Sequence, residues 1–181
     1  QVAEMRSLPA GIDQRSPARH PDWLGPDDLS LKIKEIREAT DWQIPIQLKL
    51  GAARVYDDVR MAAKCEPDSI FIDGMEGGTG AGPHIATEET GVPGIAAIRQ
   101  ARNALDDVGK SGEISLVYAG GIRNGGDVAK ALALGADAVA IGHSSLMALN
   151  CNRDIDEADF PNEIGVEAGS CYHCHTGRCP V

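Results

Sequence analysis

Short apolar segments alternate with amphipathic segments along most of the chain. Apolar residues at helical spacing predict helices over residues 27–40, 56–64, 92–108, 127–134 and 144–149. Apolar runs closed by glycine or a charged residue predict strands over residues 44–50, 69–73, 115–119 and 138–141. Such strands, without strict period-two alternation, predict a parallel sheet covered on both faces. Asp27 is the expected cap of the first helix.

This alternation fits two α/β architectures. Four strand–helix units can form half of a (β/α)8 TIM barrel or a small doubly wound sheet, and the pattern alone does not choose between them. In both architectures, ligands bind where the carboxyl ends of the strands meet. Residues 1–26 contain four prolines and little periodicity, which predicts an ordered loop.

Composition and charge narrow the classes of function. Hydrophobic residues make up 43% of the chain and charged residues 24%, as in an average soluble globular protein. The formal net charge is −10 at pH 7, so we expect neither nucleic acid nor a membrane surface to bind through a basic face. No apolar run approaches the roughly 20 residues that cross a bilayer. An anionic ligand must therefore meet local cations or backbone N–H groups.

A glycine-rich loop follows the second predicted strand. Residues 74–82 contain five glycines, and ordering each glycine costs extra conformational entropy. Such a loop is useful where the backbone must approach a ligand closely and donate N–H groups to it. The alternative is a mobile surface loop, because a single glycine-rich loop is weak evidence.

Two strand–glycine–helix junctions follow the third and fourth predicted strands. Gly120 and Gly121 precede one helix, and Gly142 precedes the other. Backbone N–H groups at a helix start favour an anion, and successive junctions of this kind form the phosphate site of (β/α)8 barrels. We therefore predict a phosphate site here, with two ordinary glycine turns as the alternative.

Three of the five cysteines lie in the last eleven residues. Cys171, Cys174 and Cys179, the last followed by proline, resemble the ligand runs of iron–sulfur proteins. Three thiolates suit a three-iron cluster better than tetrahedral zinc, although His173 or His175 could complete a zinc site. A structural disulfide is a further alternative. Clustered thiolates indicate metal ligation in a reducing compartment, which predicts the cytoplasm.

Taken in order, the motifs resemble the FMN-binding domain of glutamate synthases. The matching runs are Lys49-Leu50, Ile72-Asp73-Gly74-Met75-Glu76-Gly77-Gly78-Thr79-Gly80-Ala81-Gly82-Pro83, Gly120-Gly121-Ile122-Arg123 and the terminal Cys-His-Thr-Gly-Arg-Cys-Pro. The run over residues 16–22 is similar to the loop before the second half of that barrel. The resemblance implies an entry loop over residues 1–26, strands five to eight of the barrel over 27–150, and an iron–sulfur cysteine loop over 151–181.

The resemblance also implies a reaction. The family makes L-glutamate by reducing 2-iminoglutarate, which forms from 2-oxoglutarate and ammonia, with a hydride from reduced FMN. Electrons reach the flavin through an iron–sulfur cluster, for which the 3Fe–4S type is favoured here. Ammonia would be used free or come from a glutaminase subunit or domain, and electrons would come from a donor protein or subunit.

The candidate site residues follow from position in these motifs. Lys49 and Glu76 are the candidate catalytic residues. Lys49 would also face the flavin, where its cation would stabilise negative charge on the reduced ring and hold a substrate carboxylate. A solvated surface lysine is the alternative. The other candidate cofactor-binding residues are Gly77, Gly78 and Thr79 at the mouth of the site, and Gly120, Gly121, Gly142, His143 and the nearby cation Arg123 around the phosphate. The candidate cluster ligands are Cys171, Cys174 and Cys179.

Some features depart from the pattern of the larger family members. Those members have five residues between the first two cluster cysteines, whereas this chain has two, as in the compact archaeal and bacterial members. Glu76 stands where they carry aspartate, and His143 where a small or aromatic residue is common. The N-methylglutamate synthase subunit shares the glycine loop but lacks the terminal cysteines, so their presence favours glutamate synthase over that alternative.

Two rival classes remain at the level of sequence. Another phosphate-binding barrel, similar to inosine-monophosphate dehydrogenase, would need a catalytic cysteine in a loop after a glycine strand end, and the sequence has none there. A non-catalytic electron-transfer or assembly module would keep the cluster without the flavin. Because an FMN barrel draws on all eight strands, we expect the chain to be a fragment of a longer protein that is inactive alone. Its open sheet edge could pair with a second copy to form a homo-oligomer.

Overall fold

The structure is a computed structural model that describes residues 2–5, 7–12, 20–78, 85–86 and 89–149. Its helices are α1 (Val2–Met5), α2 (Pro26–Ala39), α3 (Val55–Ala63), α4 (Gly94–Asp107), α5 (Gly125–Leu134) and α6 (His143–Ala148). Its strands are β1 (Gln47–Gly51), β2 (Ser69–Asp73), β3 (Ser115–Ala119) and β4 (Ala138–Ala140). In these ranges no helix combines the length and the apolar character that crossing a bilayer requires.

The four strands form one parallel sheet in the order β1-β2-β3-β4. Along the register, Gln47 pairs with Ser69 and Ser69 pairs with Ser115, so the first three strands start level with one another. Strands that follow each other in the chain are therefore neighbours in the sheet. Between β1 and β4, helices α3, α4 and α5 return the chain to the edge where the next parallel strand begins. The predicted α/β class with a parallel sheet is confirmed.

Helices cover one face of the sheet in the described part of the chain. Helix α3 packs against α4, and α4 packs against α5, so the three form a single layer. Ile70, Ile72 and Leu116 are buried in the core that the sheet shares with this layer. Alternate positions such as Lys49 and Val117 lie on the opposite face and are exposed or only partly buried. The expected cover on both faces is thus found on one face only, because these crossover helices all lie on the same side.

The first strand begins later than its apolar pattern predicts. Residues 44–46 precede β1 because Pro45 has no N–H to donate and because the ladder with β2 begins at Gln47. The N–H of Ile46 instead donates to the Asp68 side chain at 2.6 Å. The bounds of β2 and β3 are as predicted, and β4 ends at Ala140, one residue early.

Helix α2 begins differently from the prediction. Gly25 is the N-cap and Pro26 the first helical residue, so the expected cap at Asp27 is wrong. Proline suits this first position because its φ is already helical and its missing N–H has no partner there. The neighbouring Asp28 contributes instead, since its carboxylate accepts the N–H of Leu24 at 3.0 Å. Within the predicted entry loop, the structure contains the four-residue helix α1.

An arginine–aspartate pair fixes the start of β1 against β2. The guanidinium of Arg37 on α2 lies 3.1 Å from the carboxylate of Asp68 and donates to the carbonyl of Glu66 at 2.9 Å. The same Asp68 oxygen accepts the N–H of Ile46, just before β1. Arg37 and Asp68 therefore tie helix α2 to the amino ends of two strands.

The same arrangement recurs two strands later. The guanidinium of Arg102 on α4 lies 2.7 Å from the carboxylate of Asp137 and donates to the carbonyl of Gly135 at 2.8 Å. The Asp137 oxygen accepts the N–H of Leu116 in β3 at 2.7 Å. These two arrangements, Arg37 with Asp68 and Arg102 with Asp137, are called the Arg–Asp clamps below. They stabilise the amino-terminal edge of the sheet.

The clamps predict a large loss of stability when either arginine is removed. Arg102→Met and Arg37→Met should each lower the free energy of unfolding by about 1–3 kcal/mol, because a guanidinium that is only 11% or 14% exposed loses its hydrogen bonds to a backbone carbonyl and to an aspartate. Urea denaturation would measure the loss. Arg54→Met is the matched control, since Arg54 is 76% exposed in an i,i+4 pair with Asp58, and should change stability by less than about 0.5 kcal/mol. Equal effects in all three variants would contradict the clamps.

Candidate functional site

Lys49 lies on the open face of the sheet near the carboxyl end of β1. Its ammonium is 2.8 Å from a carboxylate oxygen of Asp73 and 4.9 Å from the centroid of the Phe71 ring. The side chain is 61% exposed, so the ammonium is fixed by Asp73 and still accessible from the open face. This position is compatible with a ligand-binding cation.

Asp73 is a residue that the sequence analysis missed as part of the site. It ends β2, and its carboxylate both pairs with Lys49 and lies against the backbone of Gly77, where a Cβ would overlap it. The available signal was a carboxylate at the end of an apolar strand. The register that places it beside Lys49 could not be read from the sequence.

The segment after β2 returns across the ends of the first two strands. Ala52 donates its N–H to the carbonyl of Asp73 at 2.8 Å, and Val92 donates to the carbonyl of Ala52 at 2.8 Å. Met75 then donates to the carbonyl of Val92 at 3.1 Å. These three hydrogen bonds hold the start of α4 against the carboxyl edge of the sheet.

The side chain of Glu76 caps helix α4. Its two carboxylate oxygens accept the N–H of Gly94, the first residue of α4, at 3.0 and 3.2 Å. A negative charge is stabilised at this end of a helix by the helix dipole and the free N–H groups. The catalytic role of Glu76 stays a prediction, while the contacts in the structure are those of a capping residue.

Four glycines pack closely around Glu76 and the buried Tyr118. A Cβ at Gly94 would overlap the ring and hydroxyl of Tyr118, and a Cβ at Gly74 would come within 2.6 Å of the Gly94 backbone. A Cβ at Gly120 would lie 3.0 Å from the N of Gly74. The set of Gly74, Glu76, Gly94, Tyr118, Gly120 and Gly121 is called the glycine junction below.

Contacts within the protein, and not with a ligand, explain why two positions in the loop after β2 are glycine. The sequence predicts that the backbone at Gly74 approaches a ligand, but in the structure a Cβ at this position would meet Glu76 and the Gly94 backbone. Gly77 likewise faces the Asp73 carboxylate, whereas Gly78 has a φ of +96° and open space around it. Thr79 lies outside the described residues.

The structure brings the two predicted phosphate-binding turns together. Ala119 pairs with Ala140 in the parallel ladder, so the turns at Gly120 and Gly142 leave the sheet side by side. The hydroxyl of Ser144, on the first turn of α6, donates to the carbonyl of Ile122 at 2.6 Å and ties the turns to each other. His143 begins α6 and is exposed.

Arg123 lies beside these turns but is already paired. Its Nε is 3.3 Å from Asp127 and its backbone N–H donates to the same carboxylate at 3.2 Å. Asn124 is the N-cap of α5, and its side chain accepts the Asp127 N–H at 3.1 Å. Since 79% of the Arg123 side chain is exposed, the structure shows it as a partly neutralised surface cation.

The pKa of Asp127 is lowered by this environment. The largest cause is the hydrogen bond from the backbone N–H of Arg123, which outweighs the opposing effect of burial, and the side chains of Arg123 and Lys130 add to it. The carboxylate therefore stabilises the start of α5 in its charged form.

The proposed cluster ligands Cys171, Cys174 and Cys179 lie outside the described residues. Within the ranges that the structure does describe, no group of three or more His, Cys, Asp or Glu side chains could hold a metal ion. The iron–sulfur prediction thus stays a prediction.

The glycine junction predicts a strong asymmetry between two glycines that each begin a helix. Gly94→Ala should lower the free energy of unfolding by about 1–3 kcal/mol or more, because the new methyl group overlaps the Tyr118 side chain. Gly125→Ala, at the first position of α5, has nothing within 4 Å of its Cβ and should be neutral or slightly stabilising. Thermal unfolding of both variants is the measurement, and similar shifts in both would contradict the packing.

Asp127 predicts a pH-dependent stability difference. A carboxyl whose pKa is lower in the folded than in the unfolded state stabilises the fold above its unfolded pKa, and this stabilisation is lost as the pH falls through the folded pKa. Asp127→Asn should therefore lower the unfolding midpoint at pH 7, and its difference from the unsubstituted protein should shrink below about pH 4. Glu38→Gln, an exposed carboxylate on α2, is the control. A difference that stays constant with pH would contradict the role of the charge.

Comparison with known proteins identifies relatives over the whole chain. The family described as "conserved region in glutamate synthase" matches residues 1–156. A glutamate synthase large subunit-like protein of Rhizobium meliloti (strain 1021) is 51% identical over 181 residues, which are 100% of this chain and 41% of that protein. An archaeal-type glutamate synthase (NADPH) of Dehalococcoides mccartyi is 37% identical over 98% of this chain and 32% of its own length. An archaeal glutamate synthase (NADPH) of Methanocaldococcus jannaschii is 35% identical over 99% of this chain and 32% of its own length.

Among solved structures, a nitroalkane oxidase from Streptomyces ansochromogenes is similar with a TM-score of 0.49 and 26% identity, over 65% of this chain and 31% of that one. The chain thus spans about a third to two fifths of the length of the curated relatives it matches. The match of the family region to residues 1–156 and the identity of 35–51% over 98–100% of the chain show that it belongs to the glutamate synthase family.

Proposed function

We propose that this chain is part of an FMN- and iron–sulfur-dependent oxidoreductase of the glutamate synthase type. The reaction is the reduction of 2-iminoglutarate, formed from 2-oxoglutarate and ammonia, to L-glutamate. The observation that carries the proposal is the arrangement of the family's motifs at one edge of the sheet. Two adjacent glycine turns follow β3 and β4, while Lys49 lies near the end of β1 and pairs with Asp73 at the end of β2.

The turns can bind a phosphate although the chain has a net negative charge. Both nearby carboxylates are already compensated, Glu76 by the start of α4 and Asp127 by Arg123, Lys130 and the start of α5. Main-chain N–H groups at Gly120, Gly121 and Gly142 are then the donors that a phosphate monoester would use. These turns would hold the phosphate of FMN.

Lys49 and Asp73 would serve the other end of the site. Bound FMN would supply the hydride that reduces the imine carbon. The Lys49 ammonium, held by Asp73 at 2.8 Å, would bind an anionic group on the open face. A cation kept in place before the ligand arrives stabilises developing negative charge without reorganisation. Asp73 would therefore be a positioning residue for Lys49.

The rest of the proposed site lies in a longer protein. The four strands follow one another in order, and the helix layer lies on one face of the sheet. Because a doubly wound sheet has helices on both faces, this arrangement supports the assignment of β1–β4 as strands five to eight of a (β/α)8 barrel. The relatives exceed this chain in length, which supports the first four strands being supplied by the same polypeptide. By itself, the chain would be inactive.

Electrons and ammonia would come from partners. Cys171, Cys174 and Cys179 would bind the iron–sulfur cluster through which electrons reach the flavin. The names of the archaeal-type relatives include NADPH, and we propose the same electron source, acting through a donor protein or subunit. Ammonia would be taken up free or from a glutaminase subunit or domain. The thiolate cluster supports a cytoplasmic location.

The test uses the full-length protein reconstituted with FMN and iron. It should bind FMN and form glutamate from 2-oxoglutarate and ammonia, with methylamine as the amine that distinguishes the N-methylglutamate alternative. Lys49→Met should lower kcat by about 10²–10³-fold because a preorganised charge is lost. Lys34→Met, an exposed lysine on α2, should leave kcat unchanged. An iron-loaded protein that binds no FMN, or a Lys49→Met variant with full kcat, would overturn the proposal.

A further inference from the structure

Tyr118 makes a contact that its ring alone does not explain. The residue is 3% exposed, and its ring packs directly against the backbone of Gly94. Its hydroxyl also donates a hydrogen bond to the carbonyl of Gly120, two residues along the chain. A phenylalanine would keep the ring in this place but would leave the Gly120 carbonyl without this donor.

The peptide bond that carries this carbonyl joins two glycines with positive φ. Gly120 has a φ of +118° and Gly121 a φ of +67°. Turning the peptide over by about 180° would take the φ of Gly121 from +67° to about −113°, a value that any residue adopts. Glycine tolerates both signs of φ, so the backbone itself favours neither orientation strongly.

The orientation decides where the Gly121 N–H points. A trans peptide is planar, so its C=O and N–H point in opposite directions. With the carbonyl of Gly120 held at the buried Tyr118, the N–H of Gly121 points away from the phenol. Among the described residues, this N–H has no hydrogen-bond acceptor, and Gly121 is exposed.

We propose that Tyr118 is a positioning residue that, through its hydroxyl, selects the orientation of the Gly120–Gly121 peptide in which the N–H faces a phosphate monoester. The inference rests on the proposed function, because the ligand is the phosphate of FMN. It adds a residue that contacts neither the cofactor nor the substrate.

The phenol keeps its proton under the conditions in which the site would work. Burial, the largest cause, together with the charges of Glu76, Asp73 and Asp127, raises the pKa of Tyr118 to about 12. Tyr118 is therefore a hydrogen-bond donor throughout the physiological range.

The experiment compares two flavins in the full-length apoprotein. Riboflavin shares the ring and ribityl chain of FMN but has no phosphate, so the orientation of this peptide should affect FMN alone. In Tyr118→Phe the Kd for FMN, measured by quenching of flavin fluorescence, should rise by about 2- to 12-fold, the range that one hydrogen bond contributes. The Kd for riboflavin should stay the same. Tyr56→Phe removes a surface hydroxyl that donates to Asp107 and is the matched control.

A second variant tests the peptide without altering Tyr118. Gly121→Ala favours negative φ and hence the reversed peptide, while its Cβ would lie 3.4 Å from Glu76, close to ordinary contact. This variant should also weaken the binding of FMN and leave the binding of riboflavin unchanged. It keeps the test available if Tyr118→Phe does not fold.

The outcomes separate the inference from the proposed function. Weaker FMN binding with unchanged riboflavin binding in Tyr118→Phe, or in Gly121→Ala if Tyr118→Phe does not fold, supports the role of Tyr118. Equal loss for both flavins, or no change for either, overturns it and assigns the hydroxyl to stability alone. If the unsubstituted protein binds neither flavin, the proposed function fails first.

Discussion

The carboxylate of Glu76 at the start of α4 is the contact on which the carboxyl edge of the sheet depends. It accepts the N–H of Gly94 and lies against Gly120 and Gly121, so one side chain joins the loop after β2, the next helix and the turn after β3. The joint can be this close only because Gly74, Gly94 and Gly120 have no Cβ. The charged side chain at the start of α4 and the glycines packed around it thus fix the loops that would form the site.

The two edges of the sheet are stabilised by different means. At the amino edge, the arginines of the Arg–Asp clamps hold two aspartates, whose carboxylates accept the N–H groups of Ile46 and Leu116. At the carboxyl edge, the loops are held by close packing between glycines. This packing leaves main-chain donors such as the Gly121 N–H available. The amino edge is therefore held by side-chain hydrogen bonds, and the carboxyl edge by close packing of the backbone.

The sequence predicts elements better than it predicts contacts. The apolar runs at 69–73 and 115–119 give β2 and β3 without error, because a buried strand needs several adjacent apolar residues. The predicted start of the first strand and the predicted cap of α2 were wrong. Pro45 and Pro26 set these boundaries because proline has no N–H to donate, and the pattern of apolar residues does not show this effect. Pairs such as Lys49 with Asp73 depend on the register between strands, which no local pattern contains.

Recognition of an anion by this acidic chain must depend on backbone orientation more than on charge. Two cations at the carboxyl edge, Lys49 and Arg123, are both paired with aspartates, so neither offers a full uncompensated charge. What remains is the direction of peptide N–H groups in turns whose glycines could adopt more than one conformation. Affinity for a phosphate would then be decided by the neighbours that restrict those turns, namely the Ser144 hydroxyl on the Ile122 carbonyl and the Tyr118 hydroxyl on the Gly120 carbonyl. Side chains that never touch the ligand would set how well the main chain binds it.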